Sequence, residues 1–129
     1  MSAPRLAYRR MTRAALPPGL TPVERDDVAL TEHHVGADGA RNVVLVTLDP
    51  FPDAFTVTEI QVHASERRRG YGSDALAFAE SVARARGFAA VKLRPKPLDD
   101  ATDLETLIAW YERAGYAPDA ARSMWIKRL

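Results

Sequence analysis

The chain contains no cysteine, which excludes disulfides, a thiolate nucleophile and any thiol-ligated metal in one step. No apolar run approaches the length of a membrane span or of a signal peptide's hydrophobic region, so a soluble cytoplasmic protein without a membrane partner is expected. Excess charge is also missing: 18 Lys and Arg against 17 Asp and Glu leave a formal +1. That balance supplies no global field to gather nucleic acid, and no basic stripe is interleaved with aromatics; no nucleic-acid partner is expected. Histidine is scarce, with three residues, and the adjacent His33 and His34 would point to opposite faces of a strand, which makes them a poor metal pair. No metal is expected. Repeats and low-complexity tracts are lacking too, and 129 residues suit one domain spanning 1–129.

What the chain does have is concentrated between Phe55 and Gly87. Phe55, Val57, Ile60 and Val62 roughly alternate with Thr56, Thr58, Glu59, Gln61 and His63, as a half-buried strand should. Ala64 to Glu66 close the strand, and Arg67, Arg68 and Arg69 lead into Gly70, Tyr71, Gly72 and Ser73. From Asp74 to Arg86 the composition turns helical. Leu76, Ala79 or Phe78, Val82 and Ala83 share one stripe, and Gly87 is placed to stop the helix. The glycine turn therefore lies at a helix N-terminus, where open N–H groups and the positive end of the dipole converge. Glycines without a Cβ let an anion approach the main chain, and the arginines add full positive charge. A phosphate-bearing cofactor, and a pyrophosphate above all, fits such a cradle. A dinucleotide fingerprint would need a third glycine where Ala75 stands, and no Lys-Ser or Lys-Thr pair follows as in a P-loop. By themselves three arginines are usually a solvated charge run; the strand before them and the helix after them are what argue for a site.

The remaining punctuation is simpler. Arg5, Arg9, Arg10 and Arg13 precede any acid, a faint transit-peptide feature, but Leu6, Tyr8 and Met11 alternate with them as in a first edge strand. Pro17, Pro18, Gly19 and Pro22 make a breaker-rich connection. Asp27 to Val35 reads as a strand, Gly36-Ala37-Asp38-Gly39 as a hairpin turn, and Arg41 to Asp49 as the returning strand, ended by Pro50 and Pro52. Ala89 to Leu93 is strand-like. Thr102 and Glu105 suit a capping box ahead of a helix beginning near Leu104, which Gly115 and Pro118 stop. Leu104, Leu107, Ile108 and Tyr111 have the spacing of its buried face. Ser123 to Leu129, with Met124, Trp125 and Ile126, closes the chain as a strand.

Arg67-Arg68-Arg69-Gly70-Tyr71-Gly72 resembles the acetyl-CoA signature of the GNAT superfamily of N-acyltransferases, in which Arg or Gln, two variable residues, Gly, one variable residue and Gly or Ala follow one another. Ile60 and Val62 stand where the family's fourth strand carries its apolar pair. Trp110-Tyr111-Glu112-Arg113-Ala114-Gly115-Tyr116 is similar to the family's late helix-end block, and the match covers roughly residues 55 to 129. The resemblance implies an α/β (α+β) fold with a mixed, mostly antiparallel twisted sheet and flanking helices. The chain departs from the family between about Ala14 and Asp26, where two helices usually stand. Three prolines there leave room for at most one short turn, so the acceptor pocket is open, completed by another subunit, or walled by the stiff loop from Lys92 to Asp103.

The same resemblance implies transfer of an acetyl group from acetyl-CoA, the only cofactor expected, to a primary amine of a small molecule or peptide. A protonated amine is no nucleophile, so a proton must first be removed. Glu59, on the strand beside the reaction centre, is the first candidate for this, and His63 is the second. Backbone N–H groups at a splay around Val62, with Ile60 and Gln61 beside it, would meet the cofactor. Arg67, Arg68, Arg69, Gly70, Tyr71, Gly72 and Ser73 would hold its diphosphate, and Tyr111 would give a proton to the departing thiolate. Leu104 stands where relatives often carry an asparagine, which puts one secondary cofactor contact in doubt. The alternative is a non-catalytic acyl-CoA-binding module serving as a sensor or assembly partner. Edge strands near both termini leave a homodimer open.

Overall fold

The computed structural model describes residues 3–23, 27–28, 30–51, 54–67, 69–97, 103–120 and 124–129. Seven strands, β1 (Ala7–Met11), β2 (Glu32–Asp38), β3 (Arg41–Phe51), β4 (Ala54–Val62), β5 (Ala90–Leu93), β6 (Ala117–Pro118) and β7 (Trp125–Arg128), form one sheet ordered β1-β2-β3-β4-β5-β7-β6. All neighbours are antiparallel except β4 and β5. That parallel pair needs a crossover, which helix α1 (Tyr71–Ala85) supplies. A second helix, α2 (Leu104–Arg113), follows β5. The architecture is the mostly antiparallel α/β sheet expected.

Burial follows from the apolar stripes. Ala75, Leu76, Ala79 and Ala83 of α1 bury against Val44, Val46, Leu48, Phe55, Val57, Val91 and Leu93. The alanines let the helix approach the sheet closely, while each large aliphatic contributes about 1.5–3 kcal/mol by leaving water. The other face is covered by the connection after β1: Leu20 buries with Val35 and Leu45, flanked by Met11 and Leu16. The described part of that connection holds a single 3₁₀ turn, Arg13–Ala15, consistent with its three prolines.

Both helices end in a left-handed glycine, Gly87 (φ 83°) and Gly115 (φ 101°). In each, the next residue's N–H reaches back five positions, Phe88 to Ala83 O at 2.9 Å and Tyr116 to Tyr111 O at 3.0 Å. These are Schellman closures, which require an αL residue.

Several boundaries differ from the sequence expectation. β2 begins at Glu32 rather than Asp27, because Val28 and Thr31 form a turn in which Val28 N–H donates to Thr31 Oγ1 at 2.9 Å and Thr31 N–H to Val28 O at 3.0 Å. It also runs on through Gly36 to Asp38, with a register shift at Gly36/Ala37. A Cβ on Gly36 would stand 2.7 Å from the Tyr8 ring, so this glycine serves close packing and the turn itself is Gly39–Ala40. Pro50 lies within β3, opposite Phe55. Helix α1 starts at Tyr71, three residues early, since first-turn amides need no partner within the helix. The cap of α2 is Asp103, whose side chain accepts from Thr106 N–H at 2.7 Å, while Thr102 lies outside the described residues. Leu104 is 47% exposed, so the buried face of α2 narrows to its C-terminal half. β6 was not foreseen, and β7 begins at Trp125, with Ser123 outside the described residues.

Candidate functional site

β4 pairs with β5 only through Phe55↔Val91, Thr56↔Lys92 and Val57↔Leu93, yet it continues to Val62 alongside β3. The sheet therefore forks beyond Val57. A bulge starts the fork, since Thr47 faces Glu59 while the next β3 residue, Leu48, faces Val57. The extra residue, Thr58, donates its hydroxyl to the fully buried Asp49, which also accepts from Thr31 Oγ1 at 2.6 Å. His63 N–H donates to Val43 O at 2.8 Å. By antiparallel alternation the N–H groups of Glu59 and Gln61 also face β3, and those of Ile60 and Val62 face the open side. Among the described residues no strand pairs with them there.

Helix α1 points its start at this fork. Gly70 is its N-cap, at φ 79° and with no side chain to offer. The first N–H to turn back belongs to Asp74, 3.1 Å from Gly70 O, so the amides of Tyr71, Gly72 and Ser73 precede the helical ladder. A Cβ at Gly72 would lie 3.7 Å from the Trp110 ring and 3.9 Å from Val62 Cγ2. The helix start, the tip of β4 and α2 thus meet at one point, and Trp110 Nε1 donates to Ser73 Oγ at 3.3 Å. The preceding loop is clamped from the β2–β3 hairpin: Arg41 donates to Glu66 Oε1 at 2.6 Å and to Asp38 at 3.3 Å, and Tyr71 O–H donates to Asp38 at 2.7 Å. Arg69 Nε lies 3.6 Å from Glu66 Oε2. Arg67 closes the turn Ala64–Glu66, and Arg68 lies outside the described residues. These groups together offer open amides, positive charge and glycines without a Cβ, which suits a diphosphate.

The candidate acid is set apart from the other tyrosines. Tyr8, Tyr71 and Tyr116 donate their hydroxyls to Asp74, Asp38 and Glu80, whereas the Tyr111 hydroxyl has no hydrogen-bond partner among the described residues. It is 8% exposed, and burial pushes its pKa up to about 12, so at neutral pH it remains a proton donor. Its ring packs between Trp110 (centroids 4.7 Å apart) and Tyr116 (5.9 Å). Tyr116 is held in turn by Glu80, which also takes a 3.0 Å bond from Lys127.

Side chains on the opposite face of β4 have other duties. Glu59 is buried; its Oε1 accepts from Val23 N–H at 3.0 Å and its Oε2 lies 3.4 Å from Gln61 Nε2. Gln61 grips Thr21 twice, accepting from its N–H at 3.0 Å and donating to its carbonyl at 2.9 Å. The Gln61 side chain is therefore committed to the connection from Gly19 to Val23. His63 Nδ1 accepts from Ser65 N–H at 3.2 Å, while a Cβ on Gly19 (φ 82°) would meet His63 Nε2 at 2.2 Å. His63 is thus a local cap and a wall for Gly19. His33 bonds Thr47 and Asp27, and His34 bonds Glu32, each within its own face of the sheet. Among the described residues no group of His, Asp and Glu could hold a metal, and no helix is long and apolar enough to cross a membrane. The loop proposed as an acceptor wall is described only to Pro97 and again from Asp103.

Sequence reasoning missed Asp49, Glu66 and Asp74, buried acids that pin the bulge, the arginine loop and the segment before β1. A lone acid directly after the run Val43 to Leu48 was the one available signal for Asp49; the other two sit among ordinary surface-like residues.

The sequence pattern of the Acetyltransferase (GNAT) family matches residues 23–116. No curated protein matches the chain in sequence. Among solved structures, it is similar to an IAA acetyltransferase from Bacillus cereus ATCC 14579 (15% identity, TM-score 0.72, 97% of this chain and 100% of that one). It is also similar to a GNAT family acetyltransferase from Elizabethkingia anophelis with acetyl-CoA bound (10%, 0.73, 96% and 98%). A third is the PaiA N-acetyltransferase from Thermoplasma acidophilum in complex with coenzyme A (10%, 0.61, 77% and 61%).

Proposed function

We propose that this chain, which belongs to the GNAT family of acetyltransferases, transfers the acetyl group of acetyl-CoA to a primary amine of a small molecule or peptide, using one domain that spans residues 1–129. Bound acetyl-CoA supplies an activated thioester carbonyl and a thiol leaving group. The amides of Tyr71, Gly72 and Ser73, with Arg67, Arg68 and Arg69, bind the diphosphate. The N–H groups of Ile60 and Val62, left open by the fork, orient the arm and polarise the carbonyl. Glu59 takes the amine's proton through water, and Tyr111 O–H gives one to the departing sulfur.

The observation that carries this reading is the junction of the fork with the uncapped helix at Gly72, where an added Cβ would lie within 3.9 Å of Val62 and Trp110. A diphosphate held at the helix start would place its arm beside the unpaired edge of β4. The test is a turnover screen of amines with acetyl-CoA, read as free thiol. Release that depends on the amine supports transfer, and no release across polyamines, aminoglycosides, amino acids and peptide N-termini excludes it for those classes.

One observation favours the second reading, a binding module. The Glu59 carboxylate is already engaged by Val23 N–H and Gln61, which is how a strut behaves. Tight acetyl-CoA binding with no acceptor turned over would select that reading.

A further inference from the structure

We infer that Arg5, in the segment leading into β1, is a further direct ligand of the coenzyme A diphosphate; this rests on the coenzyme A reading above. The main chain there is fastened to the first turn of α1. Arg5 N–H donates to Asp74 Oδ1 at 2.6 Å, Leu6 N–H to Oδ2 at 3.1 Å, and Tyr8 O–H to Oδ2 at 2.8 Å. With three donors, the Asp74 side chain is only 4% exposed, and the main chain at Arg5 is held by these part-buried hydrogen bonds.

The charge arrangement then has a purpose. An aspartate in the first turn suits the helix dipole, but its negative charge opposes a diphosphate arriving at the same helix end. Arg5 Nε stands 3.8 Å from Asp74 Oδ1 and offsets that charge. The far side of the guanidinium faces the cradle: Nη2 lies 3.8 Å from the position a Gly70 Cβ would take, beside the cap that precedes the three open amides. The side chain is 79% exposed, so its N–H fork is free to meet phosphate oxygens, a geometry guanidinium satisfies in bidentate fashion. Arg69, by contrast, is drawn toward Glu66. If Arg5 served only as an exposed partner of Asp74, such a pair would contribute little to anything, and ligand affinity would not depend on it.

Calorimetric titration of coenzyme A and of 3′-dephospho-coenzyme A into the wild type, Arg5→Ala, Arg5→Lys and, as a control, Arg9→Ala tests this. Arg9 lies on β1, just after Arg5, and bonds Asn42. The expected result is a loss of about tenfold or more for Arg5→Ala, equal for both ligands, from one charged hydrogen-bonding partner. Arg5→Lys should recover part of it and Arg9→Ala should lose nothing, with the melting temperature of the free proteins unchanged. Affinity within twofold of wild type for Arg5→Ala overturns the assignment. A loss confined to coenzyme A overturns it as well, since the contact would then be to the 3′-phosphate. If the wild type binds neither ligand, the coenzyme A reading itself fails and takes this one with it; wild-type binding with unaltered Arg5→Ala leaves that reading standing.

Discussion

Replacing Tyr111 with phenylalanine removes one oxygen from a site where that oxygen has no hydrogen-bond partner among the described residues, which separates its chemical role from its structural one. The ring contacts with Trp110 and Tyr116 survive the change, and no buried polar partner is orphaned. Stability should therefore stay within about 0.5 kcal/mol of wild type. Tyr116→Phe is the contrast: it removes the hydroxyl that donates at 2.9 Å to Glu80, a buried carboxylate, and should cost about 1–3 kcal/mol. If the Tyr111 hydroxyl donates to the departing sulfur, turnover of Tyr111→Phe should fall by about 10² or more, equivalent to about 2.7 kcal/mol of barrier. Because the chain has no cysteine, a chromogenic thiol reagent reads released coenzyme A with no background from the protein. The pKa direction adds a second check. Burial favours the neutral phenol, so this group's contribution to stability is complete below pH 10.0 and is lost only as pH rises through about 12. An alkaline fall in wild-type rate at pH 8 or 9 must then come from another group. Turnover of Tyr111→Phe within twofold of wild type, at unchanged stability, would remove the hydroxyl from the mechanism.

Glu59→Gln should leave coenzyme A affinity unchanged and lower kcat by about 10² if the carboxylate removes the amine's proton; an unaltered kcat would make Glu59 only the anchor of Val23. Glu32 is buried on β2, and its pKa is lowered to about 2, chiefly by Arg86, which grips it at 2.8 and 2.9 Å. A depressed carboxylate stabilises the fold above its ordinary 4.5 and loses that contribution as pH falls toward 2, so Glu32→Gln should cost about 2–3 kcal/mol at pH 7. Urea titrations should show the gap to wild type closing below pH 4.5, and a gap constant with pH would refute the argument. Gly19→Ala places a methyl 2.2 Å from His63 Nε2 at a positive φ and should destabilise by about 2 kcal/mol or more. His63→Ala in the same chain should restore part of that loss, and a purely additive double variant would show that the clash is not the cause.

The glycine turn at a helix start was legible because its physics is local. A strand, a run of arginines, glycines without Cβ atoms and a helix start lie within one continuous stretch, Phe55 to Gly87, and amides left without helical partners are an automatic product of starting a helix there. The same held for the left-handed glycines that end both helices and for the shortened connection after β1, where prolines forbid longer helices. The sequence was a weaker guide to ends of elements, since Gly36 to Asp38 look like a turn until β1 lays Tyr8 over Gly36, and Leu104 looks buried until α2 is docked by its other end.

What only the tertiary structure decided depends on partners distant in sequence. Alternation could place Glu59, Gln61 and His63 on one face of β4, but not that Thr21, Val23 and Gly19 come back to occupy them. The sequence holds four tyrosines, and nothing local distinguishes the one whose hydroxyl is left unpaired; that follows from where Asp38, Asp74 and Glu80 arrive. Arg5 lies 65 residues before Gly70 in the chain, and its place beside Gly70 exists only because β1 pairs at the edge of the sheet and Asp74 takes two of that segment's amides. Local chemistry thus specified a helix start with open amides beside a run of arginines, while long-range hydrogen bonding decided which side chains around it are already committed to partners.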